Sequence, residues 1–168
     1  MILRNERPSD VTRITAIQYA AFKDHPLHAP GAEPTEQLIV ERLRDAGSLT
    51  LSLLAEKSGA AVAHIALSPA HVGADASGWF LLGPIGVLPE HQNQGLGSAL
   101  VRESLRLIQD QGAFGVVLVG DPRFYGRFGF ASVPGLTWPG VPDQFVLAAC
   151  FGGRTPQGPI QGHAAFGC

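Results

Sequence analysis

The run Gln92-Asn93-Gln94-Gly95-Leu96-Gly97 joins a segment of strand character to one of helical periodicity. Gly95 and Gly97 let the chain turn tightly and keep side chains off the backbone N–H groups. A helix that starts there carries unpaired N–H groups and the positive end of its dipole. Such a site suits a pyrophosphate, and Ser98 adds a hydroxyl. A dinucleotide fingerprint fits poorly. The third position of G-x-G-x-x-G is Leu100, and Asp121 comes too late to bind a ribose. A Walker A loop is excluded, because neither Lys23 nor Lys57 follows a glycine.

The strand ahead of this loop, Trp79 to Leu88, is interrupted by Gly83, Pro84 and Gly86. Proline gives no ladder hydrogen bond, and strand glycine marks a bulge or a close approach. The strand therefore either lies at an edge or bulges away from a neighbour and offers free backbone groups to an extended ligand. A ligand that runs along it and ends in a pyrophosphate at the next helix has the shape of coenzyme A.

Other chemistry is thinly represented. His25-Pro26-Leu27-His28 has the spacing of half a metal site but no partner cluster, so a loop with two exposed imidazoles is expected and no metal. Cys150 and Cys168 read as free thiols. With 12 basic and 14 acidic side chains, the charge of −2 argues against nucleic acid. No apolar run approaches the roughly 20 residues that span a bilayer. Met1 to Arg7 lacks the features of a signal peptide, and a cytoplasmic protein is expected.

The elements that must position the loop follow from periodicity. A chain of 168 residues, 45% apolar and 15% charged, suits one domain over 1–168. Ile2-Leu3-Arg4 suits a short strand. Val11, Ile14, Ile17 and Ala21 share a helix face, with Ser9 or Asp10 as cap, and Thr35 caps a second helix that Gly47 ends. Leu49 to Leu53 and Ala61 to Ser68 form an antiparallel hairpin, followed by the strand Trp79 to Leu88. A helix from Leu96 to Gln111 and the apolar run Val116 to Val119 complete a βαβ unit. A helical turn at Phe124 to Arg127 and a last strand, Phe145 to Phe151, precede an ordered surface tail. The fold class is α+β.

Two stretches resemble a known superfamily. Val87 to Leu100 looks like the acetyl-CoA motif of the GNAT N-acetyltransferases, Q/R-x-x-G-x-G/A after a V-x-P strand end. Gly120 to Phe130, reading GDPRFYGRFGF, looks like the Y-x-R-x-G-F segment after the next strand. The wording is closest to the YhbS-like branch, as is the hairpin Val62 to Pro69. The resemblance covers residues 1–151. It implies a GNAT-like mixed central sheet, acetyl-CoA as acyl donor, and direct attack by a small-molecule or protein amine with no acyl-enzyme. The Val87 N–H would polarise the thioester carbonyl, and the backbone of Ile85, Gly86 and Val87 would pair with the pantetheine arm. Gln92, Asn93, Gln94, Gly95, Leu96, Gly97 and Ser98 would hold the pyrophosphate. Tyr125 would protonate or hydrogen-bond the leaving thiolate. Arg127, and less so Arg123, would meet a phosphate. A homodimer is also implied.

The chain departs from the pattern at the general base. Many relatives place a glutamate on the strand before the loop, whereas Trp79 to Leu88 contains no acid. His64, Glu90 and His91 are the remaining candidates, beside a water relay or an amine that is already neutral, with His64 on the strand face opposite Ile65 and Leu67. The gap leaves an alternative open: a non-catalytic acyl-CoA-binding or sensing module of the same fold. The acceptor pocket would come from the first two helices, the loop from His25 to Pro34 and the C-terminal strand region.

Overall fold

Alternating and continuous apolar runs build a mixed sheet whose two faces are covered by different helices. The computed structural model describes residues 1–25 and 29–167. In chain order the strands are β1 (Ile2–Asn5), β2 (Leu51–Lys57), β3 (Ala60–Val72), β4 (Asp75–Val87), β5 (Gly115–Val119), β6 (Ala131–Ser132), β7 (Leu136–Thr137), β8 (Val146–Cys150) and β9 (Gly158–Gln161). The helices are α1 (Val11–Phe22), α2 (Glu36–Asp45), α3 (Leu96–Asp110) and α4 (Pro122–Tyr125). In space the order is β1-β2-β3-β4-β5-β8-β6, with β9 on β3 and β7 on β9. Only β4–β5 and β7–β9 are parallel, and α3 makes the β4–β5 crossover. The expected α+β class with an antiparallel hairpin and a βαβ unit is the observed one.

The hairpin is longer than the periodicity suggests. β3 runs on through Pro69 to Val72, and β4 begins at Asp75, so the turn falls at Gly73-Ala74 rather than near Gly78. Pro69 and Gly78 look like breakers, but Pro69 is exposed and tolerated opposite Phe80. β4 is an interior strand, not an edge. The run Val116 to Val119 is buried except for Val119, which is 43% exposed because β4 has already left β5 there. Asp10 and Thr35 occupy cap positions without a side-chain capping bond. Asp10 instead accepts from the Arg7 N–H at 2.6 Å and from Arg4 at 2.7 Å.

The tail also departs from expectation. It contributes β9, which pairs with His71 and Val72 where β2 has ended. Ile160 and Ala165 are each 3% exposed. Ile160 packs in a second core with Trp79, Leu81, Val117 and Leu136. It is a structural element rather than a surface tail. Cys150 is an exposed free thiol, whereas Cys168 and His28 lie outside the described residues. Among the described residues, no helix is long and apolar enough to cross a membrane, and no group of three or more His, Cys, Asp or Glu side chains gathers as a metal site.

A polar chain crosses the interface between the sheet and the first two helices. Arg44 of α2 donates to Glu6 at 2.7 and 2.9 Å, and the Ser52 hydroxyl donates to Glu6 at 2.7 Å. Ser52 Oγ lies 2.8 Å from His64 Nε2, and His64 Nδ1 lies 2.8 Å from Gln18 Nε2 on α1. Burial alone would raise the Glu6 carboxyl, yet the Arg44 and Ser52 hydrogen bonds hold it below the usual range. His64 is fully buried, and desolvation pushes its imidazole down to about 3. This corrects its reading as a base: the face opposite Ile65 and Leu67 is covered by α1, and the ring's two nitrogens are already engaged.

Two outcomes follow from this packing. Ile160→Ala is expected to cost about 2–5 kcal/mol in urea denaturation, as a buried isoleucine does, while Gln161→Ala stays within about 0.5 kcal/mol. A free surface tail would leave both near zero. The second concerns pH. The unfolded chain protonates His64 near its ordinary 6.5, and the folded chain only near 3. The unfolded state therefore binds more protons in that window, and stability falls as pH drops through it. From pH 7 to pH 5 the loss from this group is about 2 kcal/mol. His64→Gln should lack that part of the slope; an identical slope in both proteins would contradict the assignment.

Candidate active site

β4 and β5 pair only from Trp79↔Gly115 to Leu81↔Val117. Beyond that point β4 continues with β3 on one side and a gap on the other. Ile65 pairs with Ile85 and Leu67 with Leu82, so Gly83-Pro84 bulges opposite Ala66. The Gly83–Pro84 peptide bond is cis. Leu88 donates its N–H to the Val62 carbonyl at 2.9 Å. In an antiparallel ladder such residues alternate with ones whose N–H and C=O point away from the partner. The alternation turns the backbone of Ile85 and Val87 into the gap. Consistently, the Val87 carbonyl is met from that side by Gln92 Nε2 at 3.1 Å.

The Ile85 and Val87 side chains face the start of α3. A Cβ placed on Gly97 would lie 3.8 Å from Val87 Cγ2 and 3.9 Å from Ile85 Cδ1. Gly86 faces α1 instead. A Cβ there would lie 2.7 Å from Gln18 Oε1 and 3.0 Å from Ala21 Cβ, so α1 approaches this closely only over glycine. After β4 a short turn, Pro89–His91, leads to Asn93 at φ 62° and Gly95 at φ 82°. Gly95 is the N-cap of α3, and its carbonyl accepts the Ala99 N–H at 3.0 Å. The Leu96, Gly97 and Ser98 N–H groups precede that first bond and have no acceptor in the helix.

These pieces enclose a cleft of about 680 Å³. Ile85, Gly86, Val87, Gln92, Asn93, Gly95, Leu96, Gly97, Ser98 and Arg127 all line it, as the sequence suggests. Arg127 stands over the helix start, donating to Ser98 Oγ at 3.3 Å with its guanidinium 4.8 Å from the Phe124 ring. Gln94 does not line the cleft. Its carboxamide oxygen accepts from Lys57 instead. Arg123 turns back to its own helix cap, Asp121, at 3.0 Å. Glu90 is exposed outside the cleft.

Tyr125 is half-buried next to the lining residue Phe124. Its ring packs edge-on against Phe124 at 4.9 Å and Phe130 at 5.8 Å, and presses on Gly120. Burial pushes its phenol up to about 12. Four further lining residues lie outside the cofactor motifs: Ala21 and Phe22 at the end of α1, His25 in the loop expected to help form the acceptor pocket, and Phe124 from α4. Helical spacing from Gln18 is a signal for Ala21 and Phe22, whereas His25 lies past the helix end, after Asp24 at φ 60°. His91 lines the cleft as well, with its Nδ1 buried and unpaired among the described residues. Among the described residues, no carboxylate lines the cleft.

The arrangement has counterparts in known proteins. The profile of the Acetyltransferase (GNAT) family matches residues 13–130. The uncharacterised N-acetyltransferase YhbS of Escherichia coli K12 is 32% identical over 150 residues, covering 86% of this chain and 84% of its own. A GNAT family acetyltransferase from Brucella melitensis, solved with acetyl-CoA, is 39% identical. It superimposes with a TM-score of 0.84 over 98% of this chain and 97% of its own. Escherichia coli YhbS with CoA gives a TM-score of 0.85 at 28% identity, over 99% of this chain and 92% of its own. A parted β4–β5 pair, a glycine loop at the start of α3 and these likenesses together make the chain a member of the GNAT acetyltransferase family.

Proposed function

We propose that this protein transfers an acetyl group from acetyl-CoA to a primary amine by direct attack. One observation carries the reading: the Ile85 and Val87 backbone groups, turned away from β3, line a cleft that ends at the free N–H groups of α3. An extended pantetheine can add to β4 there as a strand does. The α3 N-terminus and Arg127 supply positive charge for the pyrophosphate. The acetyl-CoA held by the Brucella relative supports the same ligand here.

Each step falls to a group of this chain. The Val87 N–H donates to the thioester carbonyl and stabilises the charge that develops on its oxygen. As the amine nitrogen bonds to the carbonyl carbon, the C–S bond breaks and the amine loses a proton. His91 and His25 both line the cleft, and a neutral imidazole can take that proton. Tyr125 hydrogen-bonds the leaving thiolate. With its phenol pushed up to about 12, it retains its proton against a thiol of about 8.5. The carboxylate-free cleft favours a second reading, an acyl-CoA-binding module without transfer. Binding without thiol release across an amine panel is the outcome that supports it.

Calorimetric titration with acetyl-CoA tests the site. Gly97 has room for a Cβ, so Gly97→Glu should fold and place its charge in the phosphate end of the cleft. Affinity is expected to fall by roughly tenfold or more. No binding by the folded parent would withdraw the assignment. Tyr125→Phe should lower turnover by about a hundredfold with acetyl-CoA affinity nearly unchanged, measured by thiol release. Unchanged turnover would remove Tyr125 from the mechanism.

A further inference from the structure

We infer that Gln18 is a positioning residue for the acyl-binding segment of β4, locked in one orientation by the chain His64, Ser52 and Glu6. The inference rests on the reading of the cleft as a thioester site. Gln18 is fully buried, yet its Oε1 has no hydrogen-bond partner among the described residues. Its Nε2 lies 2.8 Å from His64 Nδ1 and 3.4 Å from the carbonyls of His64 and Pro84. One amide thus touches β3, the bulge of β4 and, through Oε1, the Cα side of Gly86.

The direction of each hydrogen bond follows from the outer end. The Glu6 carboxylate only accepts, so the Ser52 hydroxyl gives its proton to Glu6. Ser52 Oγ then receives a proton from His64 Nε2. His64 is therefore the Nε2–H tautomer, and its Nδ1 needs a donor. Gln18 Nε2 is that donor, and both nearby carbonyls demand the same NH₂ orientation. Oε1 is left to face Gly86. Desolvation keeps His64 neutral, so the chain keeps this polarity at ordinary pH.

The consequence reaches the cleft through the backbone. Ile85 and Val87 flank Gly86 and have no β5 neighbour to set their height. Their side chains meet α3 on one face, while Gln18 bears on Gly86 and Pro84 from the other. The amide thereby fixes the peptide planes whose N–H groups meet the thioester. A methionine of similar length would fill the same space without the hydrogen bonds, so packing and positioning are separable.

The probe is acetyl-CoA labelled with carbon-13 at the carbonyl, read by infrared difference spectroscopy. In the parent, the bound carbonyl band lies below its free value. In Gln18→Met it should return most of the way, while acetyl-CoA affinity changes less than about threefold. Ser52→Ala, at the half-buried outer end, should move the band the same way by less, and serves alone should Gln18→Met fail to fold. Nitrogen-15 NMR of the parent without ligand should show the Nε2–H tautomer at His64. A Nδ1–H tautomer overturns the inference independently of any ligand. A displaced parent band that the folded variants leave in place overturns it as well. A parent band at the free value overturns the thioester reading and this inference with it.

Discussion

A backbone strand in the middle of a sheet that loses its neighbour must find other partners for its polar groups. That constraint acts on β4 past Leu81. Burying Ile85 and Val87 without partners would cost on the order of 1–3 kcal/mol per orphaned group. The chain solves this by keeping the gap open as a cleft. Gln92 meets the Val87 carbonyl, and the remaining groups face a volume large enough for a ligand. The loop after β4 turns into α3 at once, so the helix start closes one end of the cleft. The αL conformations at Asn93 and Gly95 make that turn.

Opening a sheet weakens it, and the rest of the fold compensates around the gap. β3 and β4 form a long hairpin that holds β4 by its other side. β8 flanks β5, and β9 with β7 closes a second core over Trp79, Leu81 and Val117, next to the last β4–β5 pair. Asp75 ties the start of β4 to Arg154 at 2.6 Å and to Trp79 Nε1 at 2.9 Å. The parting point is thus buttressed by residues distant in sequence. The polar chain under α1 does related work on the opposite face. A buried polar network is costly when incomplete, and among the described residues its one buried side-chain atom without a partner, Gln18 Oε1, is the one beside the cleft wall.

Local chemistry explains what could be read from the residues alone. The glycine loop, the amphipathic α3 and the interrupted strand before it each carry a signal within a few residues of the site. Of the residues expected along the strand, the loop and the start of α3, all but Gln94 line the cleft. Gln94 fails because its carboxamide binds Lys57, a partner 37 positions away that no spacing rule reveals. The motif points to Tyr125, but it does not say that the ring packs over Gly120 just past β5. The burial of His64 is hidden for a related reason. Strand alternation shows that it lies opposite Ile65, but only tertiary packing shows that α1 covers that face. The role of the tail was hidden because β9 pairs with β3 across more than eighty residues of intervening chain, and Gly and Pro mask its strand character.

The electrostatics of the cleft divide binding from chemistry. At one end the α3 dipole and Arg127 concentrate positive charge, and Ser98 Oγ already accepts a hydrogen bond from that cation. Phe22, His25 and His91 also line the cleft, with no carboxylate among the described lining residues. A cationic acceptor gains no ion pair there. An amine that arrives neutral, or loses its proton to an imidazole, meets no such cost. The part of β4 that lines the cleft carries no acid, and α1 covers the gap with the apolar and aromatic side chains of Ala21 and Phe22.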